Sequence, residues 1–323
     1  MQEQLADAFR QYSNAQNFPF APSTLYDPVN YIMGLGGKQI RPQLCLLACH
    51  LFSDAPEAAL PQAYAIELFH NFSLVHDDIM DEAPLRRGHD TVHKKFGLNP
   101  AILSGDVMLI HCYQYVTQGL TAAKASRAVE LFSETAIDIC RGQQNDLDFE
   151  QQSDPSMGAY LKMIEDKTAV LLGCSLALGG LVAGQRNRVQ QMLYDIGVGM
   201  GMAFQIQDDL LDAFGSSAKT GKVAGGDIIQ GKKTFLYLKA IEIGGPRVEA
   251  ELRSLYADER MVKEQKVSRV LEIFGSLGVD RFGQTLKQKY YDRADAWLEA
   301  LAEKTDRVDV LRELFSGLLN REA

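Results

Sequence analysis

Apolar positions recur every three or four residues along this chain, and strict alternation of β-branched or aromatic residues with polar ones is scarce. In "AYAIELFHNFSLVHDD", around Tyr64, residues Ile66, Phe69, Phe72 (or Ser73) and Leu74 fall near one helical stripe. Helix punctuation is frequent. "SDAPEAAL" offers Asp54 as a cap and Pro56 in the first turn, and "SDPSMGAYLKMIEDKT" repeats the device with Ser153, Asp154 and Pro155. Pro84 and Gly88 are expected to end the helix that contains Phe72. The stretch from Thr168 to Gln185, "TAVLLGCSLALGGLVAGQ", carries no charge and has the length of a membrane span, about 17–25 residues. It is full of Gly, Ala, Ser and Cys, and Glu165, Asp166 and Lys167 abut it. A helix buried on all sides within a soluble bundle explains it better. The pattern predicts an all-α chain.

No stretch rich in Pro, Gly or Ser interrupts the helices, so residues 1–323 are expected to form a single domain. The most polar loop, "GSSAKTGKVAGGD" from Gly215 to Asp227, reads as a mobile loop beside a site. With 46% apolar and 23% charged residues the composition is ordinary for a globular protein. The net charge of −9 argues against sequence-blind binding to nucleic acid. Five cysteines with no CxxC pair point to a reduced, cytoplasmic protein. The N-terminal "MQEQLADAFRQYSN" lacks the basic and apolar regions of a signal peptide.

The chemistry is concentrated in "LVHDDIMDEAPLRRG", Leu74 to Gly88. On a helix Asp77 and Asp81 share a face, and Asp78 lies about 100° round. Such carboxylates repel one another unless a cation sits among them, and oxygen ligands without thiolates suit Mg²⁺. Alone, DDxxD also describes a solvated acidic face. A second copy, "FQIQDDLLDAF", places Asp208, Asp209 and Asp212 at the same spacing inside an apolar run, where a solvated face fits poorly. The pair predicts two metal-binding faces opposed across one cavity.

Cations accompany the carboxylates. Arg86 and Arg87 follow the first cluster; "GGKQIRP" offers Lys38 and Arg41 beside two glycines; "EDKTAV" offers Lys167 and Thr168; "TGKVAGGDIIQGKKT" offers Lys222, Lys232 and Lys233. Any one of these alone is a surface cation, but as a set they suit phosphate oxygens. "GDIIQGK" matches GxxxxGK, yet Lys233 stands where a P-loop needs Ser or Thr, and no strand precedes it. His89 and His93 could pair on a helix face as zinc ligands, but without a third ligand a structural role is expected. Cations for phosphate, carboxylates for magnesium and an apolar interior together imply diphosphates with hydrophobic tails. The chemistry would be metal-assisted departure of diphosphate, with a Met- and Phe-rich interior sheltering a carbocation from water.

From about Gly34 to Thr234 the chain resembles the trans-isoprenyl diphosphate synthases, or polyprenyl synthetases. The resemblance rests on "GGKQIRP", "HNFSLVHDDIMDEAPLRRG", "AILSGD", "GQQNDLDFE", "EDKTA", "FQIQDDLLD" and "GDIIQGKKT", in order. It implies an isoprenoid synthase helical bundle around a deep central cavity, a homodimer, and head-to-tail condensation of isopentenyl diphosphate onto an allylic diphosphate. It also implies that Lys38, Arg41, His70 and Arg87 hold isopentenyl diphosphate, while Arg86, Lys167, Lys222 and Lys232 grip the allylic diphosphate. Asp77 and Asp81, supported by Asp78, would bind two magnesium ions. Asp208 would bind a third, with Asp209 and Asp212 close by and Asp212 a further ligand. Thr168 and Gln205 would point dipoles at the developing cation, and the released diphosphate would take the final proton. One departure is Gln39, where the family commonly has Arg.

Residues four and five positions before Asp77, Ser73 and Phe72, lie about one turn deeper along the helix and can floor the cavity. An aromatic beside a small residue resembles short-chain synthases making C15 or C20 products. The first acidic motif lacks the two-residue insertion of many bacterial farnesyl synthases. A class I terpene cyclase would not need Lys38, Arg41 and Arg87, and a non-catalytic subunit of a hetero-oligomeric synthase would typically have lost the aspartates.

Overall fold

The computed structural model describes residues 1–152, 155–215, 225–258 and 260–319. Ser153, Asp154 and Lys222, and most of the Gly215–Asp227 loop, lie outside the described residues. Helices carry nearly all of the described chain, as the apolar pattern requires. The two strands among the described residues form a short antiparallel ribbon, β1 (Leu85–Arg86) with β2 (His89–Asp90).

Contacts divide the chain into two compact units. The first comprises Met1–Ala136, Leu171–Tyr194 and Ala300–Leu311; the second comprises Ile137–Val170, Asp195–Glu299 and the chain from Arg312 onward. In the first unit lie α1 (Gln2–Ala15), α2 (Ser23–Gly34), α3 (Ile40–His50), a 3₁₀ turn (Pro56–Ala59), α4 (Leu60–Met80), the β-ribbon, α5 (Val92–Phe96) and α6 (Leu98–Thr117). Three elements supply residues to both units: α7 (Ala122–Gln151), α9 (Val170–Val182) and α10 (Asn187–Phe214). The second unit also holds α8 (Met157–Ile164), a π turn (Glu165–Ala169), α11 (Gly226–Gln230), α12 (Phe235–Ala257) and α13 (Lys263–Leu277). Two final helices, α14 (Val279–Ala302) and α15 (Asp309–Leu319), divide between the units.

The core of the first unit forms around α4. The single apolar stripe expected there is too narrow: every residue from Gln62 to Phe69 is buried, because α3 and α6 both pack against this helix. The uncharged stretch is buried as expected. Within it, a Cβ on Gly179 would lie 2.1 Å from the Cys45 carbonyl oxygen, so glycine is what lets α9 approach α3 so closely. No described helix is long and apolar enough to cross a membrane. In the second unit Tyr160, Met163, Ile206, Phe235, Tyr237 and Phe274 belong to one buried cluster.

Three local expectations change. Asp54 is not a helix cap: the turn after it is 3₁₀ and has Ala55 at the cap position, whose N–H bonds Ser53 Oγ, while Asp54 pairs with Arg307 at 2.5 Å. Ser156, rather than a residue upstream, caps α8, accepting from the Ala159 N–H at 3.1 Å. His89 and His93 share no helix face, since His89 is in β2 and His93 in α5.

Candidate active site

In the first unit, α4 delivers Asp77 and Asp78 in its last turn and stops at Asp81, whose φ of −83° and ψ of −3° keep it helix-like; its N–H bonds the Asp77 carbonyl at 2.9 Å. Asp77 and Asp81 therefore retain their four-residue helical spacing. Asp78 behaves differently. It is 1% exposed, and Arg86 closes on it through Nε at 2.8 Å from each carboxylate oxygen and through Nη2 at 2.6 Å. Arg86 Nη2 also lies 3.6 Å from Asp77. Arg86, expected at the allylic diphosphate, thus has carboxylates as its partners here, and Asp78 is occupied with neutralising it.

The β-ribbon positions the next arginine. Arg87 (φ 54°) and Gly88 (φ 77°) are the two turn residues, both in the left-handed region that such a turn demands. Arg87 at that position is strained, the kind of outlier that functional sites retain. Its guanidinium bonds the Gly36 carbonyl, and a Cβ on Gly37 would lie 3.0 Å from it. This close approach accounts for Gly37, while Gly36 adopts the left-handed region at φ 67°. Arg41 Nη1 donates to His70 Nε2 at 3.4 Å, and Arg41 Nε is buried with no hydrogen-bond partner among the described residues. Burial, then Arg41, Arg87 and Arg86, hold His70 well below the usual imidazole range, so it is neutral at pH 7. Lys38, three residues before Arg41, is exposed. Gln39 begins α3 in a left-handed conformation (φ 48°) with no side-chain cap bond. Arg41 and Arg87 thus form a cationic pocket with His70 in which a doubly charged anion would find several donors. Beneath it lies Glu67, 3% exposed, with Asn71 beside it. Sequence reasoning missed both.

Phe72 is buried, with its ring 5.3 Å from Phe69 and 4.9 Å from His76. Ser73 Oγ bonds the His70 carbonyl.

In the second unit a cavity of about 400 Å³ is lined by Lys167, Thr168, Gln205, Asp209 and Lys232, together with Asp146, Tyr160 and Asp227. Lys167 and Thr168 sit on the π turn, an irregularity common at functional sites. A Cβ on Gly142 of α7 would lie 2.3 Å from the Lys167 backbone N, so the glycine of "GQQND" makes room for this turn. Lys167 Nζ is 2.6 Å from Asp146 Oδ2, and Thr168 Oγ1 donates to Gln205 Oε1 at 3.4 Å. Asp209 is 5% exposed; it accepts from the Tyr160 hydroxyl and from Gln205 Nε2 at 3.0 Å. Burial pushes its carboxyl up to about 7, the two hydrogen bonds oppose this, and Asp227 and Asp208 add to it. Asp212 Oδ2 accepts the Asp227 N–H at 2.9 Å. Asp208 is the exposed member of the cluster. Lys232 is exposed at the cavity, whereas Lys233 reaches back to the carbonyls of Phe149 and Gln152 at the end of α7.

Among the described residues no three His, Cys, Asp or Glu side chains are gathered as a ready metal cage. The donor set nonetheless fits magnesium, which keeps several waters and is commonly held by one or two carboxylates plus substrate phosphates. Asp77 and Asp81, and separately Asp208, present such carboxylates, whereas Asp78 and Asp209 are committed to Arg86 and Tyr160.

Helices bearing two acidic motifs, with a cationic pocket beside the first, define a synthase of the isoprenoid type. Residues 22–274 match the family model described as polyprenyl synthetase, and the chain belongs to that family. A crystal structure of a geranylgeranyl pyrophosphate synthase superposes with a TM-score of 0.94 at 38% identity, covering 100% of this chain and 99% of the other. The geranylgeranyl pyrophosphate synthase of Geoglobus acetivorans is 35% identical over 93% of this chain and 92% of its own length. The geranylfarnesyl diphosphate synthase of Natronomonas pharaonis is 34% identical over 90% and 86%.

Proposed function

We propose that this trans-prenyltransferase condenses isopentenyl diphosphate head-to-tail with an allylic diphosphate of five, ten or fifteen carbons, releasing diphosphate and yielding a short-chain product. The observation that carries this reading is the Arg41–His70–Arg87 pocket, where a buried guanidinium nitrogen has no partner among the described residues. A terpene cyclase has only one diphosphate to bind and no use for such a pocket. A non-catalytic subunit has no use for all six aspartates.

Lys38, Arg41, Arg87 and His70 bind isopentenyl diphosphate; His70, being neutral, donates or accepts a hydrogen bond there without adding charge. Lys167, Lys232 and Lys222 take the allylic diphosphate, and Arg86 joins them only as far as Asp78 lets it go. Thr168 and Gln205 turn oxygen dipoles toward the carbon that becomes positive. Asp77 and Asp81, and Asp208 with Asp212, would hold magnesium, three ions in all, which supply Lewis-acid stabilisation of the departing diphosphate. Phe72 with Ser73 sets the floor for the growing tail. Relatives named for geranylgeranyl diphosphate favour a C20 product over C15.

We further propose one catalytic domain over residues 1–323, a homodimer and a cytoplasmic location. Leu103 and Ile110, 57% and 61% exposed and seven residues apart on α6, offer an apolar face for a second copy. Five cysteines without a disulfide suit a reducing compartment.

The test is a product assay with Mg²⁺, isopentenyl diphosphate and each allylic diphosphate in turn, the products being dephosphorylated and sized. Elongation stopping at C15 or C20 is expected. Consumption of the allylic substrate alone, giving hydrocarbon or alcohol, would overturn the condensation reading in favour of a cyclase.

A further inference from the structure

Two buried polar residues under the Arg41–Arg87 pocket have no role in the reaction assigned above. Asn71 is 1% exposed and Glu67 is 3% exposed. Asn71 Nδ2 donates to the Glu67 carbonyl at 2.8 Å and to Glu67 Oε1 at 3.3 Å. With its amide nitrogen so engaged, the orientation of the Asn71 side chain is settled: Oδ1 must face the other way. There it accepts from Arg87 Nη1 at 3.4 Å. The same guanidinium nitrogen bonds the Gly36 carbonyl. Arg87 is therefore held between a loop carbonyl on one side and an amide anchored to a buried carboxylate on the other.

We propose that Asn71 is a positioning residue for isopentenyl diphosphate, acting through Arg87 and resting on Glu67; this rests on the function proposed above. An arginine in the first position of a strained two-residue turn has a long side chain to immobilise, and each rotamer frozen before binding is a cost removed from binding. Asn71 does the freezing. Glu67 serves it twice: its carboxylate fixes the amide, and its negative charge lies among Arg41 and Arg87, whose mutual repulsion it moderates. Replacing Asn71 by Leu keeps the branched shape and removes all three side-chain hydrogen bonds. A net hydrogen bond is worth about two- to twelvefold in an equilibrium constant. The expected result is thus a rise of about tenfold in KM for isopentenyl diphosphate, with kcat and the KM for the allylic diphosphate within twofold of the unchanged protein.

The decisive experiment is a double-mutant cycle on the full chain with Asn71→Leu, Arg87→Ala and the pair, reading both KM values and kcat. If Asn71 acts through Arg87, Asn71→Leu adds nothing to the KM for isopentenyl diphosphate once Arg87 is alanine. Should the two effects multiply instead, Asn71 has a general structural role and the proposal is wrong. An unchanged KM in Asn71→Leu, with a native melting profile, also overturns it. Should Asn71→Leu fold poorly, Asn71→Ser, which removes the amide without adding apolar bulk, is carried through the same cycle with the same expectation. Failure of the parent function reads differently: the unsubstituted protein would then not consume isopentenyl diphosphate at all.

Discussion

Asp146 on α7 holds Lys167 at 2.6 Å, so the lysine proposed to receive an allylic diphosphate already has an anionic partner. The pair is about 30% exposed on each side, 27% for the lysine and 31% for the aspartate. A lysine on a flexible stem loses less freedom on binding if a carboxylate has already placed it. Asp146→Asn keeps the shape and removes the charge. It is expected to raise the KM for the allylic diphosphate several-fold and to leave that for isopentenyl diphosphate alone. Lys167→Met should cost about 100-fold in kcat/KM, in line with the loss of a charge-assisted contact of about 3 kcal/mol. Equal shifts in both KM values for Asp146→Asn would remove Asp146 from this role.

The first two aspartates of one motif should fail in opposite ways. Asp78 is buried against Arg86, and breaking such a pair leaves an uncompensated charge at a cost of about 3 kcal/mol. Asp78→Ala is expected to melt several degrees lower. Asp77→Asn is expected to melt with the unsubstituted protein while losing at least about 100-fold in Mg²⁺-dependent turnover. Thermal melts and rates measured on the same preparations check both; a stable, fully active Asp77→Asn would sink the metal assignment.

Phe72 packs against Phe69 and His76, so its removal has two readouts. Phe72→Ala should cost about 3 kcal/mol of stability as a core truncation. If the ring also floors the growing tail, sized products will lengthen by at least one five-carbon unit. Destabilisation without longer products would make Phe72 ordinary core.

His70 makes stability depend on acid. Its folded pKa is depressed, so between that value and the unfolded value of about 6.5 the unfolded chain binds a proton that the folded chain refuses. Stability contributed by neutral His70 is therefore full above about pH 6.5 and falls as the pH drops. Urea midpoints from pH 7.5 to 5.5 should fall less for His70→Asn than for the unsubstituted protein. Parallel curves would show that His70 is not held neutral.

The all-α class was legible because helical spacing of apolar residues leaves little room for strands. The acidic and basic clusters were legible because like charges crowded on one face need a reason. What stayed hidden is partnership. Glu67 and Asn71 sit inside an apolar run, and Arg87 reaches them only because a hairpin folds back, which neither residue's neighbours announce. Asp146 lay in a quoted motif, yet its link to Lys167 spans two helices. Asp78 and Arg86 look like a metal ligand and a phosphate ligand until burial pairs them. The π turn has no signature in residue types at all.

That turn carries a consequence for how the chain tolerates length changes. A π turn is a helix holding one residue more than the α repeat needs. Deleting a single residue from Glu165–Ala169 would let the backbone relax into regular α-helix without breaking it. Because the wide turn is what absorbs the extra residue, the helix before and after the deletion would keep its phase, and the loss would fall on the bulge itself. Tyr160 and Met163 would go on lining the cavity, while Lys167 and Thr168, which sit on the wide turn, would be drawn back onto the α repeat. The extra residue thus serves the local presentation of Lys167 and Thr168, and a helix-preserving deletion there would be more damaging than its mild effect on secondary structure implies.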